Sequence, residues 1–353
     1  MANILLTSVC NRACRFCFAR EEVACASSGG SAWSQEAFMS LDNVKKVIDF
    51  HRCSGLPAIS LLGGEPTIHP EFPRIVDMCV EAGLSIRLFT GGVVPGPAKD
   101  RLRSLPEHCL SIIVNISAKE HCRSAREYEA TVETLRDLAS CAAVGYTLFT
   151  MDVDPDWLTA LVLETGCRRS IRLGLAMPGP TDATCLLPPS RYRDTAKWIL
   201  RLASSCDAHD IGMGFDCGFT MCMFTPEELG KLAYLGCKTR FICRPIIDVG
   251  TDLSAWSCFA TSTLDRTHLA QYGQREDLVR FFTDRRRAYR QFGVHDRCHT
   301  CKHKRRGICD GGCLAYVVRS FSGVHKHVTD RKPPAATTDL GGRTEESTHR
   351  TSN

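Results

Sequence analysis

The chain of 353 residues is long enough for one large domain and a smaller one. Apolar residues make up 44% of it and charged residues 24%, which is ordinary for a globular protein. No apolar run approaches the ~20 residues that cross a bilayer, and the start, MANILLTSVC, lacks the basic segment that opens a secretory signal. We therefore expect a cytoplasmic protein with no membrane partner.

The net charge of +5 is modest, and two short basic runs, 285–287 and 302–306, supply much of it. Such runs are typical of a solvated helix face or a loop. A nucleic-acid footprint would need a broader basic patch. We do not expect a nucleic-acid partner.

Short apolar runs alternate with amphipathic stretches over the first two hundred residues. Runs rich in β-branched and aromatic residues predict buried strands. The strand candidates are 3–9, 58–63, 84–90, 110–117, 145–150 and 170–176. The helix candidates are 41–54, 71–82, 98–105, 125–143, 155–165 and 189–208.

Six β–α units in a row predict an α/β fold with parallel strands. Such a sheet stays open or curls into a full or partial barrel, and in both cases ligands bind at the carboxyl ends of the strands. From about residue 210 strands become sparse, and helices are predicted at 226–235 and 275–292. We expect a core domain over 1–209, a second domain over 210–322 and, because apolar residues are few, a disordered tail over 323–353.

Cysteine is the unusual feature of the composition. Twenty-one cysteines in a chain without an export signal are not expected to form a disulfide framework, because cytosolic thiols are kept reduced. Scattered cysteines on apolar faces, such as Cys79 and Cys141, are expected to act as small buried hydrophobes. Ligation of a metal or cluster explains those at tight spacings. These are Cys10, Cys14, Cys17, Cys237, Cys243, Cys258, Cys298, Cys301, Cys309 and Cys313.

The first group lies in CNRACRFC, residues 10–17, where the first predicted strand ends. A cubane iron–sulfur cluster takes four thiolates, one for each iron. Three thiolates therefore leave one iron open, and an open metal position is what a reacting cofactor needs.

The second predicted strand is followed by LLGGEP, residues 61–66. Gly63 and Gly64 let a ligand come close to the backbone, and Glu65 offers a carboxylate to an ammonium group. A carboxylate on a Gly-Gly turn is expected to make few contacts with the hydrophobic core. We therefore expect Glu65 to bind a ligand rather than to stabilise the fold.

Together these two motifs resemble those of the radical S-adenosylmethionine (radical SAM) superfamily. The resemblance implies a partial (β/α)6 TIM-like barrel in which Cys10, Cys14 and Cys17 hold a [4Fe–4S] cluster. SAM would chelate the fourth iron through its amino and carboxylate groups. The further residues that the resemblance assigns to SAM are Phe16, near the adenine, and Gly63, Gly64 and Glu65, at the methionyl ammonium.

Three polar residues, Thr90, Asn115 and Ser117, lie where the third and fourth predicted strands end. They are candidates for the ribose or the carboxylate of SAM. Alternatively, each simply satisfies loop backbone groups. The sequence leaves both alternatives open, and it assigns no residue to hydrogen transfer with the substrate.

The remaining grouped cysteines resemble the SPASM extension of radical SAM enzymes, a cysteine-rich C-terminal domain with two auxiliary [4Fe–4S] clusters. In that pattern the ligands interleave. The first auxiliary cluster would be held by Cys237, Cys243, Cys258 and Cys313, and three irons of the second by Cys298, Cys301 and Cys309.

The chain departs from the SPASM pattern. Leu253 stands where glycine is usual, the loop 302–308 is longer than usual, and the final cysteine is absent. The second cluster would therefore have an open iron, take a ligand such as Asp330 or His327, or not exist. We expect one or two auxiliary clusters.

Two further readings of these cysteines stay open. Cys217 and Cys222, in FDCGFTMC, are unassigned and could contribute ligands instead. Alternatively, the last four grouped cysteines form a zinc knuckle, because four thiolates suit Zn²⁺ equally well.

The resemblance implies radical chemistry. An electron from a flavodoxin or ferredoxin would break SAM into methionine and a 5′-deoxyadenosyl radical, which abstracts hydrogen from the substrate. SPASM enzymes often modify peptides, so a peptide or protein substrate is expected and a small metabolite is the alternative. Because the first strand starts at residue 3, a separate leader-binding protein is plausible. An alternative of another class is a non-catalytic iron–sulfur or zinc protein, an electron carrier or redox sensor.

Overall fold

The computed structural model describes residues 2–17, 19, 23–25, 34–178, 185–243 and 246–321. One compact unit runs from Met1 to Arg319, and a second unit begins at Ser320. The tail 323–353, predicted to be disordered, lies outside the described residues, and so do its two candidate ligands, His327 and Asp330. The domain boundary between residues 209 and 210 stays a prediction.

Strands and helices alternate along the first two thirds of the chain. The strands of the described residues are β1 (Ala2–Leu5), β2 (Val9–Cys10), β3 (Ala24–Cys25), β4 (Ala58–Leu62), β5 (Ser85–Thr90), β6 (Leu110–Ile116), β7 (Ala142–Leu148), β8 (Ser170–Leu175), β9 (Gly212–Phe215), β10 (Ile247–Val249), β11 (Ser254–Ser257) and β12 (Arg266–His268).

The α-helices are shorter than 18 residues. Those of the described residues are α1 (Leu41–Cys53), α2 (Phe72–Glu81), α3 (Gly96–Arg103), α4 (Ala125–Asp137), α5 (Asp156–Thr165), α6 (Tyr192–Ala208), α7 (Pro226–Tyr234), α8 (Arg275–Arg286), α9 (Lys302–Arg305) and α10 (Leu314–Ser320). Within the described ranges, none is both long and apolar enough to span a membrane.

The described residues form one ten-stranded sheet in the order β12-β11-β10-β1-β4-β5-β6-β7-β8-β9. Neighbours from β10 through β1 to β9 are parallel, whereas β11 is antiparallel to both β10 and β12. β2 and β3 form a separate parallel pair. The predicted α/β fold with a mostly parallel sheet is confirmed. Its curling into a partial barrel and the SPASM-like domain stay predictions.

The second helix shows how the sequence places the core. In α2, Phe72, Ile75, Val76 and Cys79 recur at helical spacing, and all four are fully buried. Burying a side chain such as that of Ile75 stabilises the fold by about 1.5–3 kcal/mol. The expectation that Cys79 and Cys141 are buried hydrophobes is confirmed, and burial raises the pKa of Cys79 to about 12.

The helix predicted over 125–143 is too long at its C-terminal end. The structure ends α4 at Asp137 and begins β7 at Ala142, which pairs with Ile112 in the middle of the sheet. The alanines and the cysteine of this stretch favour or tolerate a helix locally. Pairing with a buried neighbouring strand prevails over that preference.

Strands after residue 210 were expected to be sparse, but four of the sheet's strands, β9 to β12, lie there. Each has only three or four residues. Two glycines, Gly212 and Gly214, weaken the pattern of β9, since glycine is depleted in strands. Runs this short and this interrupted give little sign of a strand in the sequence.

Through β10, the cysteine-rich part of the chain shares a sheet with β1. The side chain of Asn3 donates a hydrogen bond of 2.8 Å to Asp248, and Asp248 is almost fully buried. Burial raises the pKa of Asp248 to about 7, although the hydrogen bond from Asn3 and the positive charge of Arg286 act against this rise. Asn3 therefore supports the charged form of a buried carboxyl group.

Replacing Asn3 with leucine is expected to destabilise the apoprotein more at pH 8 than at pH 5. An unfolded aspartate loses its proton near pH ~4, whereas Asp248 in the fold keeps its proton up to about pH 7. The stability that Asp248 contributes is thus complete below pH ~4 and is lost as the pH rises through 7. At pH 8 the buried carboxylate is charged and needs its donor, so the loss is about 1–3 kcal/mol.

Urea unfolding of Asn3→Leu and of the wild type at both pH values measures the difference. Asp248→Asn is the matched background, in which Asn3→Leu should cost the same at pH 5 and pH 8. An equal loss at both pH values in the presence of Asp248 would contradict the expectation.

Candidate functional site

Residues 6–17, which we call the cysteine loop, leave the carboxyl end of β1. Cys10, Cys14 and Cys17 are half-buried on this loop. The amide of Cys17 donates to the carbonyl of Cys14 at 3.2 Å, and the amide of Arg12 donates to the sulfur of Cys10 at 3.4 Å. The three thiols of the first motif therefore stand on one short, internally bonded segment.

Residues 63–65, which we call the GGE turn, follow β4 and lie against the cysteine loop. The amide of Gly64 donates a hydrogen bond of 2.8 Å to the carbonyl of Thr7, and the amide of Glu65 donates one of 2.9 Å to the carbonyl of Val9. The turn and the loop are thus joined backbone to backbone. Two motifs that are far apart in the sequence form one site.

This close approach requires both glycines. A β-carbon on Gly63 would lie 2.6 Å from the carbonyl oxygen of Thr7. One on Gly64 would lie 2.0 Å from the carbonyl oxygen of Val9 and 2.8 Å from the nitrogen of Cys10. We expected the glycines to admit a ligand. The structure shows that they admit the protein's own cysteine loop.

The carboxylate of Glu65 is fully buried and accepts hydrogen bonds from three residues. The amide and hydroxyl of Thr67 donate at 3.2 and 2.6 Å, the amide of Gly91 donates at 2.7 Å, and the hydroxyl of Thr90 lies 2.8 and 2.9 Å from the two oxygens. Burial raises the pKa of Glu65, although these donors act in the opposite direction.

Glu65 is therefore not the unsupported carboxylate that its place on a Gly-Gly turn suggested, and its expected lack of a role in stability stays a prediction. Its side chain ties the exit of β4 to the exit of β5, and its burial leaves it dependent on those donors. The proposed contact of Glu65 with the methionyl ammonium of SAM stays a prediction.

Thr90 and Ser117 are buried and already hydrogen-bonded within the protein. The hydroxyl of Thr90 accepts a hydrogen bond of 2.9 Å from the amide of Gly92 besides donating to Glu65. The hydroxyl of Ser117 accepts a long one, 3.4 Å, from Arg12. These contacts favour the alternative in which both residues organise the loops at the strand ends.

Arg12, within the cysteine loop, is the site residue that sequence reasoning missed. Its side chain is only 3% exposed. It donates to Glu127 at 2.9 Å, to the carbonyl of Gly91 at 2.6 Å and to the carbonyl of Asn115 at 2.8 Å. Arg12 therefore links the cysteine loop to the exits of β5 and β6 and to α4. The side chain of Asn115 itself packs over Gly145 of β7.

Arg12 keeps its charge in spite of this position. Burial lowers its pKa, but the neighbouring Cys14 and Glu127 more than offset that effect, so the pKa of Arg12 is raised. A cation beside a thiol favours the thiolate, which is the form that binds iron. One hint was present in the sequence, the position of Arg12 between two motif cysteines, but an arginine in a loop is usually exposed.

Phe16 packs against Phe149, with ring centroids 5.0 Å apart. Phe149 directly follows β7 and contacts His121 at the same centroid distance, 5.0 Å. Phe16 thus belongs to an aromatic group at the carboxyl ends of the strands. Its contact with the adenine of SAM stays a prediction.

The C-terminal cysteines fall into two neighbourhoods. In the first, Cys258, Cys313 and Met177 belong to one small apolar cluster. Burial, followed by the charges of Asp248 and Cys243, raises the pKa of Cys258 to about 12. The pKa of Cys313 is also raised, mainly by burial and to a smaller extent by the charges of Cys258 and Cys243. Cys243 is therefore close to both of these thiols.

In the second neighbourhood, Cys298 and Cys309 meet at Gly311. The amide of Gly311 donates to the sulfur of Cys309 at 3.4 Å, and a β-carbon on Gly311 would lie 3.3 Å from the sulfur of Cys298. Cys301 follows Cys298 by one turn, its amide donating to the carbonyl of Cys298 at 3.2 Å. Cys313 groups with Cys258, as the interleaved pattern predicts and a zinc knuckle does not.

Cys237 is placed away from both neighbourhoods. The next residue, Lys238, forms a parallel bridge with Gly214 of β9. Burial, followed by the charge of Asp207 at the end of α6, raises the pKa of Cys237 to about 11, and Cys237 in turn acts on Cys206. The assignment of Cys237 to the first auxiliary cluster is thus not supported by its position.

Within the ranges that the structure describes, no three Cys, His, Asp or Glu side chains are already gathered about one point for a metal ion. The ligands of a cubane bind different irons, so they surround a group larger than one ion. The cysteine loop fits such a group. It offers three half-buried thiols, and the charged guanidinium of Arg12 lies close to Cys14.

Residues 4–156 match the family model of the Radical SAM superfamily. The S-adenosylmethionine-dependent nucleotide dehydratase of Selenomonas ruminantium is 32% identical over 91 residues, which are 26% of this chain and 29% of that protein. GTP 3′,8-cyclase 1 of Mycobacterium tuberculosis is 21% identical over 145 residues, 39% of this chain and 38% of that protein. The chain thus spans well under half the length of these curated relatives.

Two solved structures resemble nearly the whole chain. Native anSMEcpe with bound AdoMet and Kp18Cys peptide has a TM-score of 0.61 and 16% identity, covering 93% of this chain and 96% of that one. Streptococcus suis SuiB bound to precursor peptide SuiA has a TM-score of 0.60 and 12% identity, covering 90% and 72%. At these identities the likeness shows the fold alone.

Gly64→Ala is expected to prevent cluster assembly on the cysteine loop, because its β-carbon would overlap the backbone of Val9 and Cys10. Iron determination after anaerobic reconstitution should find about four irons fewer per chain than in the wild type. Gly96→Ala is the matched control, since a β-carbon on Gly96 meets nothing within 4 Å. Equal iron contents in Gly64→Ala and wild type would contradict the role of this close approach.

Arg12→Leu is expected to lower the free energy of unfolding of the apoprotein by about 3–5 kcal/mol, because a largely buried Glu127 would lose its partner. Urea denaturation followed by circular dichroism measures the loss. Arg191→Leu is the control, since Arg191 forms an exposed pair with Asp194 and its removal should cost less than about 1 kcal/mol. Similar losses in both variants would mean that the Arg12 contacts add no stability.

Proposed function

We propose that this chain, which matches the family model of the Radical SAM superfamily over residues 4–156, is an enzyme that cleaves SAM reductively and abstracts hydrogen from a peptide or protein substrate. The observation that carries the proposal is the backbone joining of the GGE turn to the cysteine loop. The joined segments lie at the carboxyl ends of β1 and β4, the edge at which parallel α/β sheets bind ligands.

In this proposal Cys10, Cys14 and Cys17 hold three irons of a [4Fe–4S] cluster and leave the fourth for SAM. When bound, the reduced cluster would supply one electron to SAM. A carbon–sulfur bond of SAM then breaks, and the products are methionine and a 5′-deoxyadenosyl radical. Arg12 keeps a positive charge beside Cys14 and so favours its thiolate.

The residues around the thiols hold the site in place. Gly91 donates its amide hydrogen to Glu65 and accepts a hydrogen bond from Arg12 through its carbonyl. The cysteine loop, the GGE turn and the exit of β5 therefore form one connected unit. Such a unit keeps the cluster and SAM in a fixed geometry, which positions the bond to be broken.

The fold likeness to SuiB and anSMEcpe supports a peptide or protein substrate. It extends over 90% or more of this chain and so includes the cysteine-rich part. Both of those structures hold a peptide. We extend the proposal to two auxiliary [4Fe–4S] clusters, to a flavodoxin or ferredoxin as reductant and to a separate leader-binding protein.

A small metabolite is the second candidate substrate. The observation that favours it is the sequence similarity to curated relatives, because two of these relatives are named for a nucleotide and for GTP. Peptide and nucleotide substrates are distinguished by which of them increases the release of 5′-deoxyadenosine above the substrate-free rate.

Replacing Cys10, Cys14 and Cys17 together by alanine is expected to abolish SAM cleavage, because no thiolate remains to hold the cluster. The measurement is 5′-deoxyadenosine released from SAM after reduction with dithionite. Cys53→Ala, which changes an exposed cysteine of α1, should cleave SAM as the wild type does.

Continued cleavage by the triple variant would contradict the assignment of these cysteines. A wild-type protein that binds iron but releases no nucleoside would instead favour the non-catalytic iron–sulfur protein.

A further inference from the structure

The segment FDCGFTMC, residues 215–222, carries two cysteines to which the motif spacings assign no role. We propose that Cys217 and Cys222 each supply one thiolate to an auxiliary iron–sulfur cluster. Cys217 replaces Cys237 as a ligand of the first auxiliary cluster. Cys222 supplies the fourth ligand of the second auxiliary cluster, beside Cys298, Cys301 and Cys309. This inference rests on the auxiliary clusters of the proposed function.

The direction of β9 separates Cys217 from Cys237. Cys217 comes two residues after Phe215, the last residue of β9. Lys238 donates to the carbonyl of Met213 and accepts from the amide of Phe215, so it lies parallel to the middle of β9. Cys237 therefore lies toward the amino end of the strand, whereas Cys217 lies beyond its carboxyl end.

Met177 connects the Cys217 segment to the first neighbourhood. A β-carbon on Gly218, the residue after Cys217, would lie 3.0 Å from the terminal methyl carbon of Met177. The sulfur of Met177 lies 3.3 Å from the sulfur of Cys313. Met177 also belongs to the apolar cluster that contains Cys258 and Cys313. One side chain thus contacts both the segment and the ligand group.

Cys222 lies beside the second neighbourhood. Its sulfur contacts the hydroxyl of Thr220 at 3.4 Å, and the methyl carbon of Thr220 lies 3.2 Å from the β-carbon position of Gly312. Gly312 is in the loop that follows Cys309. A β-carbon on the neighbouring Gly311 would lie 3.3 Å from the sulfur of Cys298. Cys222 is thus placed near the loop against which Cys298 packs.

With these assignments each auxiliary group has four cysteines. The first set is Cys217, Cys243, Cys258 and Cys313, and the second is Cys222, Cys298, Cys301 and Cys309. A cubane with four protein thiolates has no open iron. Both auxiliary clusters would then transfer electrons rather than bind the substrate, and the second would need no ligand from Asp330 or His327.

The test uses the full chain with Cys10, Cys14 and Cys17 replaced by alanine, so that iron reports the auxiliary clusters alone. Reconstitution of this background should give about eight irons per chain, four for each cluster. Adding Cys217→Ser or Cys222→Ser should remove about four irons or change the Mössbauer spectrum of one cluster. Cys237→Ser is the matched control and should leave both the iron content and the spectrum unchanged.

Loss of a cluster in the Cys237→Ser variant with full retention in the Cys217→Ser variant would overturn the assignment of Cys217. An unchanged spectrum in the Cys222→Ser variant would overturn that of Cys222. An iron-free background would overturn the whole inference. Absence of 5′-deoxyadenosine from a fully loaded wild type would overturn only the proposed function.

Alkylation of the unsubstituted protein gives a second measurement that does not depend on the folding of variants. Iodoacetamide labelling, read by mass spectrometry, should find Cys217 and Cys222 protected in the reconstituted protein and reactive after iron is removed with a chelator. Cys237 should label equally in both states. Protection of Cys237 by iron, with Cys217 equally labelled in both states, would overturn the inference.

Discussion

The backbone amide and the backbone carbonyl of Gly91 are each hydrogen-bonded to a buried ionic side chain. Its amide donates to Glu65 at 2.7 Å and its carbonyl accepts from Arg12 at 2.6 Å. Glu65 belongs to the turn after β4, Arg12 to the loop after β1, and Gly91 follows β5. Neither ionic group is accessible to water, so each depends on these partners for the hydrogen bonds that burial would otherwise deny it. Three neighbouring strand ends are therefore fixed relative to one another.

This constraint explains why the two motifs occur together. The cysteine loop cannot take its position unless Gly64 lets the GGE turn approach Val9. The GGE turn, for its part, cannot bury Glu65 unless the residues after β5 supply hydrogen-bond donors. A residue such as Glu65, which looks like a ligand-binding group in the sequence, thus first supports the framework of the site. The thiols are then presented by a loop with little freedom to move, as a preorganised site requires.

The sequence was most informative where periodicity and motif agree. The strands β4, β5 and β6 lie within a residue or two of their predicted limits, because long buried runs between amphipathic helices leave few alternatives. The short strands β9 to β12 could not be predicted, since runs of three or four residues are too short to show a clear periodicity. Arg12 was missed for another reason, because burial of an arginine depends on carbonyls from other loops. Cys237 was assigned from spacing alone, which carries no information about the direction of β9.

The proposed site of the SAM-binding cluster and the cysteine-rich part of the chain share one group of apolar side chains. Trp256 and Phe259, on either side of Cys258, pack with Leu5, and Cys10 and Cys17 pack against the same apolar group. Cys258 has a φ of 67°, which is uncommon for a residue other than glycine. Such a conformation persists only where the surroundings enforce it, and here buried neighbours pack on both sides of the turn. Pairing of β10 with β1 holds this arrangement together. The cysteine-rich part of the chain therefore packs directly against the cysteine loop and forms one side of the region in which the first cluster would lie.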